Sequence, residues 1–259
     1  MEILMVGCGK MGGAMLRRWL DEVPARFTAV NRTPSAIPEG ASHAGSPDAL
    51  SGQKFDALII AVKPQQIADI MPAYTAFLKP GGCVISIAAG FSIASIRKAL
   101  GAHPVIRIMP NLPALIGRSV NGLYADETCS DAHRDLATQL AETTGTAIWV
   151  ETEDEIDRIT AIAGSGSGYV FEIARSYVAA AEAMGFAPGT ARALVLETLS
   201  GAIEMARQSD LGLDELRNSV MSKKGTTEAG INALRRDGLL DQLMLETTGA
   251  AYQRAVELR

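Results

Sequence analysis

Gly7-Cys8-Gly9-Lys10-Met11-Gly12 follows the apolar run Ile3–Val6 directly and opens a helical stretch. Glycines at the first, third and sixth places have three separate uses. The first permits a tight turn, the second lets a pyrophosphate approach the backbone, and the third allows helix and strand to pack closely. The helix start adds unpaired N–H donors and the positive end of its dipole. A loop of this kind cradles a dinucleotide pyrophosphate, with Val6, Gly7, Cys8, Gly9, Lys10, Met11 and Gly12 as its residues. A glycine-rich turn kept only for packing has the same pattern; the strand before it and the helix after it favour binding.

About 20 residues further on, where NAD-binding loops place a carboxylate on the ribose hydroxyls, the run Thr28–Val30 ends in Asn31-Arg32-Thr33. Nothing there repels a 2′-phosphate, and Arg32 and Thr33 offer a guanidinium and a hydroxyl donor. NADPH is therefore expected in preference to NADH, a solvated loop arginine being the plainer reading of Arg32. Three more loops follow successive apolar runs: Ala61-Val62-Lys63-Pro64, Ala88-Ala89-Gly90 and Met109-Pro110-Asn111. Ligands of open α/β sheets sit at such strand ends. The small residues from Ala88 onward would let a flat nicotinamide ring lie close to backbone, and Lys63 would shape the cofactor site.

Two stretches of the second half look unlike helix interior. Ser222-Lys223-Lys224-Gly225-Thr226-Thr227 sets hydroxyls and free N–H groups at a helix start, which suits a carboxylate. Thr226 or Thr227 would equally serve as a plain N-cap, and local chemistry leaves both readings open. Gly164-Ser165-Gly166-Ser167-Gly168 interrupts a helical pattern, either for close approach of another group or as a flexible hinge.

The elements that must hold these residues change character along the chain. Ile3–Val6, Thr28–Val30, Ala57–Val62, Val84–Ile87 and Val105–Ile108 are short apolar runs of strand length, separated by helical stretches around Met11–Leu20, Gln65–Phe77 and Ile93–Leu100. Such runs mark strands covered on both faces, so the fold class is α/β with a doubly wound parallel sheet. From Asp154 onward strand-like runs vanish, and helices are expected near Glu153–Ile162, Tyr169–Met184, Pro188–Arg207 and Thr227–Leu239, with a last one toward Arg259. Pro188 suits a first turn and Gly185 a helix end. The boundary falls at Glu151-Thr152, dividing residues 1–152 from an all-helical 153–259. Broad alanine-rich faces fit a subunit interface, since so short a bundle buries only a modest core; a self-contained monomeric bundle is the alternative.

A length of 259 residues allows one or two domains at ~150 residues each. With 24 Lys and Arg against 29 Asp and Glu, there is no basic excess for nucleic acid, and anions must be held locally. Cys8, Cys83 and Cys129, like His43, His103 and His133, are too scattered for a disulfide framework or a metal site. No apolar run approaches the ~20 residues of a membrane helix, and no basic segment precedes the first strand. A soluble cytoplasmic protein is expected.

Taken together and in order, Gly7–Gly12, Asn31–Thr33, Ala61–Pro64, Ala88–Gly90, Met109–Asn111, Thr160–Gly166 and Gly225–Thr227 resemble the pyrroline-5-carboxylate reductase family over essentially the whole chain. The resemblance implies an N-terminal Rossmann-type domain, a C-terminal all-helical dimerisation domain, and NAD(P)H-dependent reduction of 1-pyrroline-5-carboxylate to L-proline. It further implies that Ser222 and the N–H groups of Gly225 and Thr226 hold the substrate carboxylate. The Thr227 hydroxyl would bond the ring nitrogen, in the catalytic role. A homodimer or a ring of dimers is implied as well. The family motif reads Ser-Pro-Gly-Gly-Thr-Thr; here Lys223 and Lys224 replace Pro-Gly, and Ser167-Gly168 replace the usual Pro-Ala before Tyr169. Imine reduction suits a chain without an obvious catalytic histidine, because the cofactor carries the hard step. Asp210 could pair with the substrate nitrogen, though an N-cap for Leu211 onward is favoured. The runner-up, a β-hydroxyacid dehydrogenase-like NADP oxidoreductase, needs a lysine on the first interdomain helix, and Glu153–Ile162 has none. A non-catalytic NADPH sensor would have no use for the Ser222–Thr227 turn.

Overall fold

The computed structural model describes residues 1–259. Its strands are β1 (Glu2–Val6), β2 (Arg26–Val30), β3 (Ser42–Ala44), β4 (Phe55–Ile60), β5 (Leu78–Ser86), β6 (Val105–Met109), β7 (Ser119–Ala125) and β8 (Gly145–Trp149). They form one sheet in the order β3-β2-β1-β4-β5-β6-β7-β8. Alternate residues of the apolar runs face opposite ways. Ile3, Met5, Ile59 and Ile85 pack with Met15, Leu16 and Trp19 of α1 (Lys10–Glu22) and with Leu136 and Leu140 of α4 (Asp131–Glu142). Leu4, Val6, Leu58 and Val84 pack with Ile67 of α2 (Pro64–Ile70) and with Ile93 and Ile96 of α3 (Ile93–Leu100). Both faces are thus covered, which is why these strands have no polar alternation. The order reverses between β1 and β4, the switch point at which such sheets bind ligands.

The sheet departs from the expected all-parallel one in a single pairing, since β6 and β7 run antiparallel. Strands β3, β7 and β8 have no counterpart among the apolar runs. Strand β7 carries Ser119 and Asn121 in the interior, and they satisfy one another instead of being apolar. The Ser119 hydroxyl lies 3.0 Å from Asn121 Oδ1, and Asn121 Nδ2 donates to the Ala141 carbonyl at 2.9 Å. Buried polar groups are tolerated when paired in this way.

Compactness divides the chain into Met1–Ser165 with Ala250–Arg259, and Gly166–Gly249. That differs from a division at 152/153, because α5 (Glu153–Ile159) is bound to the sheet. Ile156 is fully buried, and side chains of Ile156 and Ile159 fill the space beside Gly122 of β7. The last residues join the same unit through Tyr252, whose hydroxyl donates to Asp154 at 2.7 Å, and Arg259, which pairs with Asp157 at 3.3 Å. The α-helical pattern is interrupted at the start of the glycine cluster, where Thr160–Gly164 forms a π-helical turn and α6 (Gly166–Ala183) begins after Ser165. Gly164 answers to close approach, since a Cβ there would lie 2.9 Å from Met109 Cε.

The helical unit holds α6, α7 (Pro188–Gln208), α8 (Leu213–Ser219), α9 (Thr226–Leu234) and the start of α10 (Leu239–Leu258). Pro188 sits in the first turn of α7, and Gly185 takes a φ of +98° after α6. Asp210 caps nothing: Gly212 is the N-cap of α8, and Glu215 accepts from its N–H at 2.9 Å. No helix of the chain is long and apolar enough to cross a membrane.

Candidate active site

The glycines after β1 meet the three demands placed on them. Gly7 has φ +94°, and a Cβ there would lie 2.6 Å from the Ala61 carbonyl oxygen, so β4's end leaves no room for a side chain. At Gly12 a Cβ would meet Met5 Cε at 2.5 Å and Ala61 Cβ at 3.2 Å, which sets α1 hard against the sheet. At Gly9 a Cβ would touch no protein atom within 4 Å. Gly9 is also the N-cap of α1, without a side-chain cap and without an acidic residue in the first turn. Exposed N–H groups, a dipole's positive end and no competing carboxylate make the residues fit a pyrophosphate. Cys8 contributes backbone only. Its thiol turns into the core, donates to the Ala36 carbonyl at 3.3 Å, and is raised in pKa by burial.

Val6, Gly7, Asn31, Arg32, Thr33 and Val62 line one cleft of about 600 Å³. Arg32 is exposed and no ion pair or hydrogen bond engages it. Asn31 Nδ2 donates to the Thr33 carbonyl at 3.0 Å, folding the loop on itself. The cleft also includes Gly45 and Ser46 after β3, and Gln66, Asp69, Ile70 and Ala73 of the segment that α2 opens. The latter four fall at i, i+3, i+4 and i+7, a one-face helical spacing legible in the sequence. Gly45 and Ser46 had no such signal, since the three-residue β3 is too short to read.

The remaining strand-end loops carry more structure than binding chemistry. Lys63 is the exposed N-cap of α2, with Pro64 in its first turn. Ala88 is buried, and Gly90, at φ +64°, is filled from the side by Leu258, 2.7 Å from where a Cβ would stand. Asn111 is buried and held on both sides: Nδ2 donates to the Ala163 carbonyl at 3.1 Å, and Oδ1 accepts from Val120 N–H at 3.0 Å. It ties β6's end to the π-helical turn.

The second cluster lies in the helical unit. Gly225 is the N-cap of α9, with Thr226 and Thr227 as its first two residues, so neither threonine is the cap. The Gly225 N–H donates to the Ser222 carbonyl at 2.8 Å, closing a turn, and is not free for a carboxylate. A Cβ on Gly225 would collide with Ser222, 2.9 Å from its carbonyl oxygen, so this glycine's role is steric. The N–H groups of Thr226 and Thr227 precede the first helical bond, Ala229 to Gly225, and remain available as donors. Thr227 is half-buried, and Ser222 and Thr226 are exposed. Lys224 takes φ +60°, held there by Glu228, which accepts from its N–H at 2.6 Å.

The family model for pyrroline-5-carboxylate reductase dimerisation matches residues 153–258, and that for NADP oxidoreductase, coenzyme F420-dependent, matches residues 2–90. A pyrroline-5-carboxylate reductase of Pseudomonas aeruginosa is 40% identical over 204 residues, 78% of this chain and 74% of the relative. Pyrroline-5-carboxylate reductase 2 of Bacillus subtilis is 36% identical over 79% of this chain and 73% of its own. Among solved structures, a pyrroline-5-carboxylate reductase from Coxiella burnetii superposes with a TM-score of 0.90 at 32% identity, covering 99% of this chain and 97% of that one. The NADP-bound pyrroline carboxylate reductase of Plasmodium falciparum gives 0.87 at 22% identity over 99% and 97% of the two chains, a likeness of fold.

Proposed function

The chain belongs to the pyrroline-5-carboxylate reductase family, and from that premise we propose that it reduces 1-pyrroline-5-carboxylate to L-proline with NADPH as electron source. The C=N bond of the protonated imine becomes CH–NH as a hydride adds to carbon. Val6–Gly12, Asn31, Arg32, Thr33, Ala61, Val62, Lys63, Pro64 and Ala88 would hold the cofactor, which when bound supplies the hydride. The start of α9 carries the substrate reading. Two free N–H groups at a helix N-terminus, with Ser222 beside them, suit the substrate carboxylate. The Thr227 hydroxyl, which no other group of the chain engages, suits the ring nitrogen and would fix the imine's orientation.

Preference for NADPH over NADH is supported by the absence of a carboxylate in Asn31–Thr33 and by the unpaired Arg32. Assembly as a homodimer, or as a ring of such dimers, is supported by the dimerisation model over 153–258. The helical unit's own core adds to that support, since its buried cluster is only Ala181, Ala191 and Val195. Three buried free thiols suit the reducing cytoplasm.

The test is loss of NADPH absorbance with 1-pyrroline-5-carboxylate, beside a panel of 3-hydroxy and 3-keto acids. Turnover of the imine alone is expected; folded protein that leaves it untouched refutes the proposal. Thr227→Val should lower kcat by about 10- to 100-fold, with NADPH affinity unchanged, because one positioned hydroxyl is lost. Equal kcat in that variant would exclude the role given to Thr227.

A further inference from the structure

Strand β3 is short and at the sheet's edge, yet it places one polar side chain on the loop proposed to select the cofactor. His43 pairs in register with Ala29 of β2, two residues before Asn31. Its ring Nε2 lies 3.0 Å from the Asn31 carbonyl oxygen. A carbonyl only accepts, so this nitrogen carries the hydrogen and the tautomer is fixed. The bond persists when the ring is protonated, since Nε2–H donates in either state.

Two bonds therefore brace the loop at its ends. His43 holds the Asn31 carbonyl from outside, and the Asn31 side chain holds the Thr33 carbonyl from within. Arg32, between them, has no bond of its own and takes its direction from this backbone. Gly45 and Ser46, which follow β3, line the same cleft as Asn31, Arg32 and Thr33. We propose that His43 is a positioning residue for cofactor choice, holding the Asn31–Thr33 loop so that Arg32 favours a 2′-phosphorylated dinucleotide. The inference rests on Asn31–Thr33 being the 2′-phosphate loop. A brace here should act on discrimination, since the pyrophosphate and nicotinamide ends of the cofactor have their own supports at Gly7–Gly12 and beyond.

The experiment titrates NADPH and NADH by their fluorescence against the full chain, with thermal midpoints measured alongside. His43→Leu removes the donor, His43→Gln restores an N–H, and Arg32→Ala removes the guanidinium itself. His43→Leu is expected to weaken NADPH binding by about three- to tenfold, the scale of one hydrogen bond, with NADH binding and the thermal midpoint unchanged. His43→Gln should recover most of the loss. A His43→Leu variant that keeps the NADPH-to-NADH ratio, or weakens both cofactors alike, overturns the proposal. If Arg32→Ala alters the ratio while His43→Leu does not, the 2′-phosphate loop stands and only the brace fails. An unchanged ratio in Arg32→Ala overturns the loop reading and the brace with it.

Discussion

Lys224 shows how one side chain can work against the turn it occupies. Its φ of +60° lies in the left-handed region, and it is one of two non-glycine residues of the chain with positive φ. The backbone stays there because Gly225 closes on Ser222 and Glu228 draws in the Lys224 N–H. Replacing Lys224 by glycine should remove about 1–2 kcal/mol of steric cost, offset by about 0.5–1 kcal/mol of added unfolded-chain entropy. The net expectation is a gain of several tenths of a kcal/mol to about 1 kcal/mol, read as a small rise in Tm. Lys224→Ala, which also loses the charge but keeps the conformation, should show no such gain. Any KM change shared by both variants then reports the lost charge beside the proposed substrate carboxylate site. Matching Tm values for the two variants would contradict this account. The departure from Pro-Gly at these positions is visible in the sequence; the use of the Gly225 N–H inside the turn is not.

Between elements, Arg97 and Asp126 join α3 to the end of β7. Arg97 reaches Asp126 through both terminal nitrogens, at 2.7 and 3.1 Å, and Thr128 adds a hydroxyl at 2.6 Å. Burial by itself would raise the Asp126 pKa, but the hydrogen bonds from Thr128 and Arg97 outweigh it, and the carboxyl lies below its usual range. A carboxylate lowered in the folded state stabilises above its unfolded pKa of about 3.9 and loses that contribution as pH falls toward the folded value. Asp126→Asn should therefore cost about 1.5–3 kcal/mol at pH 7, the range for hydrogen bonds to a charged group. The gap to the parent should narrow below about pH 4. A gap independent of pH, in urea unfolding at pH 7 and pH 3.5, would show that charge is not what holds this joint. Legibility at this scale follows the source of burial. Strands β1, β2, β4, β5 and β6 are mostly apolar on both faces and stand out as runs, with Arg107 of β6 the buried charged exception. Strand β7 does not, because Ser119 and Asn121 are buried by pairing with each other and with α4's carbonyls, a solution no hydrophobic pattern records.

For the whole molecule, the change of rhythm near Glu151 marks where strands end, whereas the compact first unit ends further on, at Ser165. Arg107 of β6 explains the difference. It is almost wholly buried, and its partner is Glu153 of α5, at 3.0 Å, while its Nε and second terminal nitrogen have no hydrogen bond. Glu153 also accepts from the Ile93 N–H at 2.7 Å, so one carboxylate joins α3, α5 and β6. A chain ending at Glu151 loses Glu153 and leaves a buried cation unpaired, at a cost of about 3–5 kcal/mol. That is a large part of the ~5–15 kcal/mol that holds a domain. It also loses Ile156, which fills the space against Gly122. A chain ending at Ser165 keeps both and forfeits Ala250–Arg259, with the Arg259 pairing to Asp157. The rest of the Asp157 surroundings is kept, with burial pushing its carboxyl upward and Arg107 still pulling it down. The fragment of residues 1–165 is therefore expected to be folded by circular dichroism and to enhance NADPH fluorescence. The fragment of residues 1–151 should be poorly folded and should bind weakly or not at all. Equal folding and equal NADPH binding in the two fragments would mean that Arg107 does not need Glu153, and that the nucleotide-binding unit closes at the last strand.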